Sequence, residues 1–165
     1  MDNTDHMKTI VIFDSIYGNT KAIAESIAQG IPGDVKVINV KDADISALKN
    51  LDILIVGSPT HGGRPSKDTK AFLDSIPKNA LKNIHFAAFD TGISPEGKGF
   101  FMRTIINFFN YAAKPISSSL EKKGGIVVAE PEGFFVEGRE GPLKEGELER
   151  AMRWARGIIQ KLNKA

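Results

Sequence analysis

Short apolar runs alternate along the chain with longer stretches in which apolar residues recur every three to four positions. The runs are residues 8–14 (KTIVIFD), 35–40, 51–57 (LDILIVG), 84–90 (IHFAAFD) and 125–129 (GIVVA). Three of them are apolar almost throughout, as strands covered on both faces must be. Between them, Ile23, Ala24, Ile27, Ala28 and Ile31 form one helical stripe, and Ala71, Phe72 and Ile76 a shorter one. Leu148, Ala151, Met152, Ala155, Ile158, Ile159 and Leu162 keep i, i+3, i+4, i+7 spacing over several turns and predict a C-terminal helix. A further helix is predicted over 100–113. Its apolar arc is wide, and Phe100 and Tyr111 fall outside it, on the face of Arg103, Asn107 and Asn110. This alternation predicts an α/β fold on a parallel sheet: one domain over 8–163, preceded by a flexible leader, 1–7. The link 131–143 is the irregular piece, punctuated by Pro131, Gly133, Gly138, Gly141 and Pro142. A connection of that length is usually functional or mobile.

Composition narrows the chemistry. The 165 residues carry 22 Lys+Arg against 20 Asp+Glu, a net charge of +2, with 41% hydrophobic and 25% charged residues, which excludes a disordered chain. The absence of cysteine removes disulfide scaffolds, thiolate-bound zinc, iron–sulfur clusters and cysteine nucleophiles together. Three separated histidines, His6, His61 and His85, suggest no metal site. Positive charges are interspersed rather than striped, so no nucleic-acid partner is expected. No apolar run approaches a membrane-spanning length, and 1–7 has no signal-like apolar stretch, so a cytoplasmic protein is expected.

In an open parallel sheet, ligands bind beyond the carboxyl ends of the strands. The first strand is followed by Ser15, Ile16, Tyr17, Gly18, Asn19 and Thr20, which open into the Ile23 helix. Hydroxyls, an amide, a glycine and a helix N-terminus with unpaired N–H groups together make an anion cradle, where an ordinary N-cap needs only one such residue. The loop is neither a Walker loop nor GxGxxG. The third strand is followed by Ser58-Pro59-Thr60-His61-Gly62-Gly63-Arg64-Pro65, and the fourth by Thr91-Gly92-Ile93-Ser94-Pro95-Glu96-Gly97. Such loops present backbone N–H and C=O groups at close range and suit a flat heterocycle.

The T/S-x-x-G-x-T loop at 15–20, the G-S/T-P-T-aromatic-G-G loop at 57–63 and the D-T/C-G loop at 90–92 together resemble those of flavodoxins and flavodoxin-like FMN proteins. The resemblance covers residues 8 to about 163 and implies a three-layer sandwich with a five-stranded parallel sheet, order 2-1-3-4-5. It implies FMN as cofactor. Ser15, Ile16, Tyr17, Gly18, Asn19 and Thr20 would hold its phosphate, and Pro59, Thr60, His61, Gly62 and Gly63 would flank one side of the ring. Asp90, Thr91, Gly92 and Ser94 would lie near the pyrimidine edge or the other side. It further implies that a second-loop glycine, Gly62 or Gly63, lets a peptide turn over so that its carbonyl accepts from the reduced ring. Two features depart from the family. His61 stands where an aromatic is usual, and the third loop has no aromatic. The family is strongly acidic, whereas here Arg64, Lys67 and Lys98 balance Asp68, Asp90 and Glu96, which predicts a neutral rim.

The reading is an FMN-binding electron carrier with redox proteins or a small planar acceptor as partners, a homodimer being left open. No catalytic residue is assigned. The alternative is an FMN-dependent NAD(P)H:quinone or protoporphyrinogen-type oxidoreductase on the same fold. A phospho-receiver domain shares the strand order but needs an acidic pair after the first strand and an acceptor Asp ending the third. Here those positions hold a lone Asp14 and Gly57-Ser58. For the missing aromatic, two readings of Phe134 and Phe135 stay open. They continue the fifth strand after an interruption, or one of them, or Phe100, closes over the ring from this chain or a partner subunit.

Overall fold

The structure is a computed structural model that describes residues 6–94 and 111–165. Strands β1 (Lys8–Phe13), β2 (Asp34–Asn39), β3 (Ile53–Pro59), β4 (His85–Ile93), β5 (Ile126–Val127) and β6 (Glu132–Val136) form one parallel sheet. Its order is β2-β1-β3-β4-β5, with β6 also pairing with β4, so the expected order 2-1-3-4-5 holds. The described helices are α1 (Asn19–Gln29), α2 (Lys67–Ser75), α3 (Ala113–Lys122) and α4 (Glu147–Lys164). Two short 3-10 turns lie between β2 and β3.

Alternation along the central strands explains why their runs are apolar throughout. Ile10, Ile12, Leu54, Val56, Phe86 and Ala88 face one core, shared with Phe72, Leu73 and Ile76 around α2 and with Ile116 and Leu120 of α3. Val11, Phe13, Ile53, Ile55, Ala87 and Phe89 face the other, shared with Ile23, Ala24 and Ile27 of α1 and with Ala151, Ala155, Ile158 and Ile159 of α4. Met7, assigned to the leader by its sequence, packs against this second core, and its carbonyl accepts from Asp34 N–H at 3.1 Å.

Three sequence expectations change. Ala71 is exposed, and α2, capped by Ser66, whose hydroxyl accepts from Thr69 N–H, instead buries Thr69 with Phe72 and Leu73, the pair that packs into the sheet core. The predicted strand 125–129 shrinks to two residues. Phe86 pairs with Val127 and Phe89 with Glu132, so three steps along β4 match five along its neighbour and two residues bulge out. Ile126 and Val127 are exposed, at 45% and 49%, since they form a sheet edge rather than a doubly covered strand. The third change is α3, which lies where only Ala113 was predicted helical. Pro115 and the run Ser117–Ser119 argue against a helix locally. Burial of Ile116 and Leu120 overrides that, and Pro115 sits in the first turn, where its missing N–H costs nothing. Tyr111 and Ala112 precede the helix, and residues 100–110 of the prediction, including Phe100, Arg103, Asn107 and Asn110, lie outside the described residues.

The link 131–143 is neither loose nor featureless. Its first half is β6, so the phenylalanines do continue the edge strand. Phe134 is fully buried, edge-to-face against Phe89 at 6.1 Å and Trp154 at 6.0 Å, and cannot be a lid. Phe135 meets the ring of Tyr111 edge-on at 6.1 Å. After β6 the chain turns back as a hairpin, with Glu137 N–H donating to Pro142 O at 2.8 Å and Lys144 N–H to Phe135 O at 2.9 Å. The outward edge of β6 is met by α4. Glu147 accepts from Phe135 N–H at 2.7 Å, and Arg150 donates to Gly133 O while bridging Glu147 at 2.7 Å and Glu132 at 2.9 Å. Burial works against a charge on Glu147. The hydrogen bonds from Arg150 and Phe135 N–H, with the charges of Arg150 and Lys144, outweigh it and hold the carboxyl below its usual range.

Candidate functional site

A cavity of about 370 Å³ opens at the carboxyl ends of β1, β3 and β4. The first loop lines it with Ser15, Ile16, Tyr17, Asn19 and Thr20, the second with Pro59, Thr60, His61 and Gly62, and the third with Thr91, Gly92 and Ile93. The three loops of the sequence reading thus meet in one place. Gly18, Gly63, Asp90 and Ser94 do not line the cavity.

The first loop leaves the N-terminus of α1 open. Gly18 occupies the cap with φ of 91° and carries no side chain to close the helix, and the first turn has no acidic residue. The backbone N–H groups there are the free donors of a helix start, which favour an anion. Ser15 shapes the loop, its hydroxyl accepting from Gly18 N–H at 3.1 Å. Thr20 is buried, and its hydroxyl pairs with that of Thr91 at 2.7 Å, tying the first loop to the third.

The second loop is a two-residue hairpin. His61 and Arg64 exchange backbone hydrogen bonds at 2.9 and 3.1 Å, and Gly62 and Gly63 between them have φ of 57° and 76°. Two successive positive φ values make a type I′ turn, which non-glycine residues enter at a cost. His61 is exposed at the cavity wall.

Thr60 and Asp90 work beneath the cavity, where they hold the start of α3. Ala112 N–H donates to Thr60 Oγ1 at 3.0 Å and Ala113 N–H to Asp90 Oδ2 at 2.9 Å, so two remote side chains supply the cap that Ala112 cannot. Asp90 is fully buried, and its Oδ1 has no hydrogen-bond partner among the described residues. Burial pushes its carboxyl up to about 7, with the charge of Glu132 adding to the rise, and the Ala113 N–H and Thr60 oppose it without prevailing. Tyr111 supports the third loop from behind. Its hydroxyl donates to Ile93 O at 3.1 Å, and its ring lies so close to Gly92 that a Cβ there would come within 2.9 Å.

Three lining residues were not assigned from the sequence: Ile93, inside the third loop, Val136, at the end of β6, and Arg139, in the hairpin that follows. For the last two the signal was the segment 131–143 itself, which pointed to the site; its aromatics drew the attention and its arginine did not. Arg139 also changes the charge around the cavity. Among the described residues, none that lines the cavity is a carboxylate. Of the acids counted at the rim, Asp68 faces Lys41 at 3.7 Å, and Asp90 is buried with its ionisation opposed. Lys98 and Glu96 lie outside the described residues. Among the described residues of that count, Arg64 and Lys67 still balance Asp68 and Asp90, and Arg139 adds one positive charge at the cavity.

A family model for flavodoxin matches residues 11–154. The chain is 26% identical to a flavodoxin of Maridesulfovibrio salexigens, over 94% of this chain and 99% of that one. It is 25% identical to a flavodoxin of Clostridium saccharobutylicum, over 94% and 98% respectively. Among solved structures, a flavodoxin from the domain Archaea matches with a TM-score of 0.74 and 26% identity, covering 96% of this chain and 100% of that one.

Proposed function

Since the chain belongs to the flavodoxin family, we propose that it is an electron carrier whose flavin is FMN, with the phosphate at the start of α1 and the ring between the second and third loops. The observation that carries this reading is the open N-terminus of α1 within a cavity whose described lining holds no carboxylate. A terminal phosphate dianion fits there; a neutral ribityl end would leave the N–H donors without an anion. When bound, the flavin supplies the redox chemistry.

What the chain supplies is binding, orientation and a responsive backbone. Ser15, Asn19 and Thr20 offer polar side chains beside the free N–H groups. Pro59, Thr60, His61 and Gly62 form one wall, and Thr91, Gly92 and Ile93 the other. The peptide joining Gly62 and Gly63 can turn over without meeting a Cβ, exchanging one hairpin turn type for another and presenting either its N–H or its carbonyl to the ring edge. Redox proteins are the partners of such a carrier. No described helix is long and apolar enough to cross a membrane.

The test is equilibrium binding of FMN and riboflavin to the flavin-free protein, read by quenching of flavin fluorescence. The proposal expects FMN to bind at least tenfold more tightly, the value of about one charge-assisted hydrogen bond. Equal affinities would refute the phosphate assignment. Multiple-turnover oxidation of NAD(P)H with a quinone, by the loaded protein alone, would make it an oxidoreductase rather than a carrier.

A further inference from the structure

We propose that Arg139 is a specificity-determining residue of this site, pairing its guanidinium with the phosphate of the cofactor and so adding a formal positive charge to a cradle otherwise made of neutral donors; this rests on the FMN reading above.

Arg139 sits in the hairpin that follows β6. The two arms of the hairpin are joined by the Glu137–Pro142 and Phe135–Lys144 backbone bonds, so its tip has a fixed base. The tip then docks on the first residue of α1. Asn19 Nδ2 donates to Glu140 O at 3.1 Å, across a long stretch of sequence. Next to it, Gly141 has φ of 104° and lies so close to the Asn19 amide that a Cβ would come within 2.7 Å of its oxygen. Only a residue without a side chain allows that approach. Arg139 is thus the residue before one that is hydrogen-bonded to the helix start, and it lines the same cavity as Ser15, Asn19 and Thr20.

Its electrostatic setting differs from that of the other arginine at this edge. Arg150 is taken up by Glu132 and Glu147. Among the described residues, Arg139 has no carboxylate partner, and no carboxylate lines the cavity it enters. An arginine that lines the cavity at the free helix N–H groups and has no described counter-ion is suited to a dianion, which its guanidinium can engage through two parallel N–H donors. The helix start, the hydroxyls of Ser15 and Thr20 and the guanidinium then converge from different elements. The hairpin gains from the same contact, since its tip would be held by the phosphate as well as by Asn19.

The test compares the parent with Arg139→Gln and Arg139→Lys, all as flavin-free protein, titrated with FMN and with riboflavin at low and at high salt. Arg139 is exposed, so neither change threatens the fold, and thermal unfolding of each variant checks this. R139Q is expected to weaken FMN about tenfold at low salt, to leave riboflavin unchanged and to flatten the salt dependence of FMN binding. R139K should recover part of the loss, and inorganic phosphate should raise the melting temperature of the parent more than that of R139Q. An unchanged FMN affinity in R139Q overturns the proposal. Equal weakening of FMN and riboflavin does so too, because it would mark a structural role for the hairpin. A parent that itself fails to prefer FMN overturns the phosphate reading and this inference together, which separates the two failures.

Discussion

Replacing Asp90 by Asn should abolish a specific part of the pH dependence of stability. The carboxyl titrates at about 7 in the folded protein against 3.8 for an unperturbed group. Between these values the unfolded chain has lost the proton and the folded protein still holds it. The unfolded state therefore binds fewer protons, and stability falls as pH rises through the window. A difference of roughly three pKa units corresponds to about 4 kcal/mol, absent below about pH 4 and fully felt above about pH 7. Asparagine keeps the carbonyl that accepts from Ala113 N–H. It also places an amide N–H₂ where Oδ1 has no described partner, at a pH-independent cost of about 1–3 kcal/mol. The measurement is urea unfolding of the flavin-free parent and D90N across the window. Other carboxylates titrate alike in both proteins, so the difference between the two curves isolates this group. D90N should gain on the parent steadily as pH rises, by up to about 4 kcal/mol, whatever its starting offset. Parallel curves would refute the assignment of a buried, ionisation-resistant carboxyl.

Further outcomes follow from the packing and the cavity. Ser15→Ala should weaken FMN by about 1.5–3 kcal/mol and spare riboflavin, whereas Thr20→Val, which also unties the first loop from Thr91, should weaken both, as read by fluorescence titration. Phe134→Ala should cost about 3–5 kcal/mol in denaturant unfolding, since the ring is fully buried between Phe89 and Trp154. Glu147→Gln should destabilise the protein above about pH 5 and matter less as pH falls through the lowered pKa of Glu147, because protonation there removes the same charge from the parent. An anaerobic potential titration should place the second one-electron reduction higher than in a variant with a carboxylate at Ile16 or Ile93, as the described cavity lining has none to oppose added negative charge.

The strands and the loops at their ends were legible because they rest on local signals, whereas the sheet order followed from the resemblance of the three loops to those of flavodoxins. Continuous apolar runs mark buried strands, and glycine with small hydroxylated residues marks the loops at their ends. What escaped depends on distant partners. The α3 helix is poor by propensity and is set by the burial of Ile116 and Leu120, with its start capped by Thr60 and Asp90. Nothing local to residues 112–122 reveals those caps. Asp90 was read toward the cofactor for its place in the loop motif, while its side chain points to α3. The interruption between β5 and β6 is a pairing property of β4, and the sequence shows only the gap. Arg139 is one of many charged residues until the hairpin brings it to the cavity.

The cover over the outer edge of β6 bears on self-association. A strand edge with free N–H and C=O groups is a template on which a second molecule can add its own strand, the first step toward fibrils. Here Phe135 offers neither group, its N–H being held by Glu147 and its carbonyl by Lys144 N–H, and the carbonyl of Gly133 is held by Arg150. β5 is two residues long, too short to template anything. Sheet extension between copies is thereby left to β2, where Asp34 and Lys36 stand exposed on a six-residue edge. Charge at that edge makes an incoming strand bury an ion, so both ends of the sheet resist growth by different means: one is plugged by its own helix, the other defended by its side chains.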